Sequence, residues 1–109
     1  MNPSRFLCRL EEIPQDGARG IAADNDPAGI GLIVLRCGDQ VLAYYNECPH
    51  AGRHLDYVPG KFLVRNGRII CAAHGATYAT ESGACVGGPC TSSLISVPIE
   101  LVEGEVHLR

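Results

Sequence analysis

At 109 residues, with 46% hydrophobic and 19% charged residues, the chain has the size and composition of a single folded domain spanning 1–109, neither disordered nor fibrous. A net charge of −3 without any Lys/Arg run leaves no electrostatic footprint for nucleic acid, and no stretch approaches the ~18 apolar residues of a membrane helix. Thirteen glycines and seven prolines favour a turn-rich β architecture. The segment from Met1 to Cys8 has neither the apolar run nor the small-residue cleavage site of a secretory signal, so a cytoplasmic location without a membrane tether is expected.

In chain order, Arg5 to Leu10 alternates polar and apolar residues and reads as a first strand closed by Ile13-Pro14. Gln15 to Gly29 is rich in Asp, Asn, Gly and Pro and reads as a surface loop, with a short strand at Ala18 to Ala22. Ile30 to Arg36 is a buried-type apolar run. Gly38-Asp39 separates it from Gln40 to Tyr45, which predicts a hairpin with a Gly-X turn. The second strand of that hairpin ends at Asn46-Glu47 and leads directly into Cys48.

Lys61 to Arg65 and Arg68 to Cys71 flank Asn66-Gly67, a strong signal for a type I′ hairpin. Thr77 to Thr80 reads as a strand ending at the Glu81-Ser82-Gly83 turn. Leu94 to Val102 and Glu105 to Arg109 form a last hairpin around Glu103-Gly104, with Pro98 marking an edge or a bulge. No segment has helical periodicity, and there is no internal repeat or linker.

The chemistry concentrates between Cys48 and His74. Cys48-Pro49-His50 and Cys71-Ala72-Ala73-His74 each place a thiol and an imidazole within one tight turn, so two facing loops could offer four donor atoms to one metal centre. Two Cys and two His suit a structural zinc ion. They equally suit a 2Fe-2S cluster in which two His replace two Cys on one iron. Composition alone leaves both open.

The flanking residues separate them by resemblance. Cys48-Pro49-His50-Ala51-Gly52 and Cys71-Ala72-Ala73-His74-Gly75 resemble the C-x-H and C-x-x-H-G loops of Rieske proteins. Ser82-Gly83 and Gly87-Gly88-Pro89 are similar to the closing segment that covers the cluster in that family. The likeness runs from about Tyr44 to Cys90. It implies an all-β fold: a Rieske-like antiparallel β-sandwich base with an inserted cluster-binding subdomain at about 46–90. It also implies one 2Fe-2S cluster, with Cys48 and Cys71 on one iron and His50 and His74 on the other. Two ferric ions, two sulfides and two thiolates then carry no net charge, and four thiolates would make the cluster two units more negative. Imidazole ligation therefore raises the potential.

Rieske subunits of cytochrome bc complexes carry an extra Cys in each loop, and the two form a disulfide. The matching positions here are Arg53 and Ala73, so that bridge is excluded. A Ser that donates to a bridging sulfide in that branch is matched by Ala76, whereas Tyr78 matches a Tyr that donates to a ligand sulfur. Hydrogen bonds to sulfur raise the potential. One donor kept and one absent imply a value of roughly −150 to +50 mV, in the lower half of the Rieske span.

The resemblance thus implies a soluble one-electron carrier between a reductase and a terminal enzyme such as an oxygenase, without a substrate site of its own. Within the family the alternative is a small subunit of a larger reductase such as nitrite reductase; from a different class it is a structural zinc-binding interaction module. Cys8, Cys37, Cys85 and Cys90 remain. In a cytosolic protein they are expected as thiols, although a bridge between Cys85 and Cys90 would be short enough to close. A mononuclear iron site from His54, Asp56 and His107 has the right donor types but no substrate cavity to serve. Tyr57, Val58 and Phe62 either pack the hairpin or help select a partner.

Overall fold

In the computed structural model the described residues are 5–15, 17–21, 30–37, 40–47, 55, 62–71, 75–88 and 92–109. They form strands β1 (Arg5–Arg9), β2 (Ala18–Ile21), β3 (Leu32–Cys37), β4 (Gln40–Tyr45) and β5 (Leu63–Arg65), followed by β6 (Arg68–Ile70), β7 (Thr77–Ala79), β8 (Cys85–Gly87), β9 (Ile99–Val102) and β10 (Glu105–Leu108). All the pairings are antiparallel and make three sheets, with orders β1-β10-β9, β2-β3-β4 and β5-β6-β7-β8. The first two are the base. The third is the insertion, lying in the chain between β4 and β9.

The apolar run in β3 explains the layering. Successive strand residues point to opposite faces, and Leu32, Ile33, Val34 and Leu35 are all buried. Leu32 and Val34 pack with Cys8, Ile13, Ala43, Val97 and Val106, against the β1-β10-β9 sheet. Ile33 and Leu35 pack with Tyr44, Leu55, Ile69, Cys71, Tyr78 and Leu94, against the inserted sheet. The β2-β3-β4 sheet is therefore a middle layer with both faces covered, which is why β3 reads as a continuous apolar run without the alternation of a half-exposed strand.

Turn chemistry sets the registers. Asn66 and Gly67 have φ of 53° and 74°, the pair of positive values that a type I′ turn needs, and Arg65 faces Arg68 across it. Glu103 and Gly104 repeat this arrangement between β9 and β10, with φ of 48° and 79°. Cys37 pairs with Gln40, as a two-residue hairpin requires; Gly38 and Asp39 themselves lie outside the described residues.

Two expectations need correction. The first strand stops at Arg9, and Leu10–Glu12 turns into a 3-10 helix, because the Arg9 amide donates to the Glu12 carboxylate at 2.7 Å and Ile13 N–H to Leu10 C=O at 3.1 Å. That turn drives Ile13 into the core, 1% exposed. The stretch from Leu94 to Val102 is not one strand. Its first part pairs with β4 through Tyr45 N–H to Ile95 C=O at 3.0 Å and Val97 N–H to Ala43 C=O at 2.9 Å, while its last part, β9, pairs with β10. The switch falls at Pro98, which has no N–H to continue a ladder. Strand β8 was hidden within the closing segment, where its three residues are too few to show a period.

Candidate metal centre

The first expected ligand pair, Cys48 and His50, lies outside the described residues, but Asn46 and Leu55, which flank it in the chain, are described. β4 delivers the chain to Asn46, whose N–H donates to Gly31 C=O at 3.0 Å. The Asn46 side-chain oxygen accepts a hydrogen bond from the Leu55 amide at 2.7 Å. Asn46 is 6% exposed and Leu55 is wholly buried, so this bond works in a water-poor setting where leaving it unmade is expensive. It ties the two ends of the stretch that carries Cys48 and His50, with the Leu55 side chain as an apolar anchor in the core.

The second pair begins on β6. Cys71 follows Ile70 directly, and its side chain is wholly buried. Its N–H donates to Ala76 C=O at 2.7 Å and its C=O accepts from Gly75 N–H at 2.9 Å, closing a narrow neck around residues 72–74. His74 lies outside the described residues. Gly75, at φ 76°, turns the chain back towards β7. Packed near Cys71 are Leu55, Ala76 and Tyr78, all without measurable exposure.

The closing segment meets this neck at Gly88. A Cβ on Gly88 would lie 2.6 Å from the Gly75 carbonyl oxygen and 2.8 Å from Ala76 Cα, and its φ is 78°. Only glycine lets the two backbones approach this closely. Further down, Thr80 joins insertion and base. Its amide and hydroxyl both donate to Gly67 C=O, at 2.9 and 3.0 Å. Its carbonyl accepts from the Tyr44 hydroxyl at 3.0 Å, and its hydroxyl oxygen accepts from the Cys37 thiol at 3.4 Å. Burial, reinforced by Cys37 and Glu81, raises the Tyr44 pKa above its ordinary 10.0. Burial also raises that of Cys8 above 9.0, with Arg19 opposing.

Of the four expected ligands, the described residues thus hold Cys71, at the neck of a tight loop. Its surroundings fit a 2Fe-2S cluster: a soft sulfur donor sits wholly buried among apolar side chains, an environment hospitable to an oxidised cluster of zero net charge. Among the described residues no group of three or more His, Cys, Asp and Glu side chains converges. His107 packs edge-on against Phe6, with ring centroids 5.8 Å apart, and its Nε2 lies 3.0 Å from a Glu105 carboxylate oxygen. It therefore belongs to the surface of the β1-β10-β9 sheet. His54 and Asp56 are outside the described residues, as are Tyr57, Val58, Arg53, Ala73 and Cys90.

Phe62 packs against the core. Cys8 and Cys37 are thiols, as expected. Cys85 is not, being disulfide-bonded to a partner outside the described residues. Sequence reasoning missed Asn46 and Leu55. An Asn two residues ahead of an expected ligand Cys, at a strand end, was the available signal for the first of these.

The middle sheet, the inserted four-stranded sheet and the buried Cys71 at the end of β6 are those of an iron–sulfur domain of the Rieske type. The Rieske [2Fe-2S] domain family matches residues 5–98, and the chain belongs to that family. Among curated relatives, the 3-phenylpropionate/cinnamic acid dioxygenase ferredoxin subunit of Photorhabdus laumondii is 23% identical over 94% of this chain and 90% of its own length. Ferredoxin CarAc of Metapseudomonas resinovorans is 31% identical over 71% of this chain and 68% of its own. Among solved structures, a chain from the complex of reduced oxygenase and oxidized ferredoxin in carbazole 1,9a-dioxygenase superposes with a TM-score of 0.78. It has 26% identity, covering 94% of this chain and 89% of that one.

Proposed function

We propose that the protein is a one-electron carrier that takes electrons from a reductase and delivers them to a terminal oxygenase, with Cys48 and Cys71 holding one iron and His50 and His74 the other. The observation that carries this reading is the match, over nearly the full length of both chains, to a ferredoxin subunit of a dioxygenase, joined to the buried Cys71 at the neck of its loop. When bound, a 2Fe-2S cluster supplies reversible one-electron chemistry.

The residues of this chain would supply the rest. The Asn46–Leu55 bond and the Gly88–Gly75 contact fix the described residues on either side of both ligand pairs, so that little of this frame need rearrange when charge changes. Leu55, Ala76 and Tyr78 exclude water around Cys71. The Tyr78 hydroxyl would donate to a ligand sulfur, and Ala76 offers no second donor, which keeps the potential at roughly −150 to +50 mV. A cytoplasmic setting belongs to this reading. The thiols of Cys8 and Cys37 suit it, whereas the disulfide at Cys85 is unusual for a reducing compartment.

The test is spectroscopic. Purified aerobically, the protein is expected to be red-brown and, after dithionite reduction, to show a rhombic EPR signal with average g below that of all-Cys ferredoxins. It should then pass electrons to an oxygenase component. A colourless, EPR-silent protein with stoichiometric zinc would overturn the carrier and leave a structural module.

A further inference from the structure

Of the six cysteines, Cys8, Cys37 and Cys71 are thiols, whereas Cys85 is disulfide-bonded. The partner of Cys85 is therefore Cys48 or Cys90, both outside the described residues. Cys48 is an expected iron ligand, and a sulfur joined to another sulfur has no thiolate to give a metal. Cys90 stands five positions beyond Cys85, across Val86-Gly87-Gly88-Pro89, a stretch whose glycines allow a sharp return of the chain.

Cys85 occupies a sensitive place. It lies directly opposite Tyr78 in the β7-β8 ladder, so both side chains point to the core face of the inserted sheet. There it is partly buried against the core side chains that include Cys71 and Tyr78. The register shifts beside it, since Gly87 pairs with Thr77, and Val86 between them is 50% exposed. Three residues beyond Cys85, Gly88 meets the Gly75 and Ala76 backbone at the neck of the second ligand loop. Gly88 is itself exposed, so solvent reaches this segment. A reduced Cys85 also has an acceptor: its Sγ lies 3.9 Å from the Gly87 carbonyl oxygen, within reach of a weak S–H hydrogen bond. The same backbone thus accommodates both oxidation states. Disulfides of reducing compartments are for the most part transient, and exposed ones are the labile ones.

We propose that Cys85 and Cys90 form a reversible bridge that clamps the closing segment onto the second ligand loop, opened by a dithiol reductant through thiol–disulfide exchange. One thiolate of the dithiol attacks a bridge sulfur, forming a mixed disulfide and releasing the other bridge sulfur as a thiolate that takes up a proton. The second sulfur of the dithiol displaces the remaining cysteine, so two electrons and two protons pass to Cys85 and Cys90 and the dithiol leaves as a disulfide. Opening the ring restores chain conformations that the bridge forbids, and the cluster is then held less tightly. The bridge itself is independent of the electron-carrier reading; its effect on cluster retention rests on that reading.

The experiment takes the cluster-loaded full chain, purified aerobically, alkylates it with iodoacetamide after denaturation and cleaves it after Glu. The peptide Ser82 to Glu100 carries both cysteines. It is expected to be two hydrogens lighter than its dithiol form and unalkylated. After anaerobic incubation of the native protein with dithiothreitol it should carry two carbamidomethyl groups, with the visible spectrum retained. Bleaching by a chelator should then run at least ~10-fold faster, and glutathione disulfide should restore the slow rate. Cys85→Ser and Cys90→Ser should each bleach at the fast rate and ignore dithiothreitol, which separates the bridge from an attack of the reductant on iron. Free thiols in the first map, a link from Cys85 to the peptide that carries Cys48, a bridge that withstands dithiothreitol in the native protein, or equal bleaching in both states would overturn the proposal. A colourless protein would overturn the carrier reading alone, because the peptide map and the native reduction need no cluster and still decide the bridge.

Discussion

In the base, β3 contributes four consecutive buried side chains and packs against sheets on both faces. In the inserted sheet every strand is three residues long; β6 and β7 each bury one side chain, Ile69 and Tyr78, and β5 and β8 bury none. A sheet that buries so little apolar area gains little from the hydrophobic effect alone. The base is held by packing, and the insertion by particular contacts: a type I′ turn, the Asn46–Leu55 clasp, the Gly88 approach, the Tyr44–Thr80 joint and, on the proposed reading, metal ligation. Binding energy of a metal centre is folding energy for the segment that carries its ligands.

The sharpest way to break this comparison is to remove the metal. Cys71→Ser should abolish the visible absorption. It should also speed amide exchange at Ile69 and Tyr78 by ~100-fold or more while Val34 and Leu35 stay protected; hydrogen exchange followed by mass spectrometry reads both. Equal protection of the two regions in this variant would mean that the insertion holds itself together.

Gly88→Ala tests the close approach of the closing segment. With a positive φ and backbone atoms under 3 Å from the new methyl group, a loss of about 2–4 kcal/mol is expected, seen as a lower temperature for bleaching of the cluster. Asn46→Ala leaves the buried Leu55 amide without its acceptor and should cost about 1–3 kcal/mol. Its bleaching should be accelerated, and the loss of β-sheet circular dichroism from the base should lag behind. Simultaneous loss of both signals would show that the two regions unfold as one.

The smallest effect lies at the joint. Tyr44→Phe removes the hydrogen bond to Thr80 C=O, worth about 1 kcal/mol, and with it a titration. The folded Tyr44 hydroxyl keeps its proton above the ordinary pKa of 10.0. The unfolded chain therefore loses protons first, and stability falls as pH rises from about 10 towards the raised value. Cys8, raised above 9.0, adds the same sign from about pH 9. Thermal midpoints between pH 8 and 11 should decline, and Tyr44→Phe should flatten the part above 10. An unchanged slope would remove Tyr44 as its source.

The same contrast separates what is legible in the amino-acid sequence from what only the folded chain reveals. The β3–β4 hairpin, the Asn66-Gly67 turn and the last hairpin are legible because their signals are local: a period, an apolar run, a dipeptide with positive φ. The pair spacing makes Cys71 legible too, and its flanks point to the family. Illegible are β8, too short to carry a period, and the break at Pro98, where the choice between two partner sheets depends on residues some fifty positions upstream. Asn46 and Leu55 are an ordinary polar and an ordinary apolar residue until the fold sets one against the other. The disulfide at Cys85 runs against an expectation based on compartment.

The pairing of β1 with β10 bears on how the chain assembles. The first of these strands to leave a ribosome has as its neighbour the last of them to be made, so it must wait for all the others before its edge is satisfied. The four strands of the insertion pair only with one another, within Leu63 to Gly87. Contacts between distant parts of a chain form late because their loops are costly to close. Synthesis would therefore present a nearly complete iron-binding unit on an unfinished base, and the C-terminal hairpin would be the step that seals the molecule.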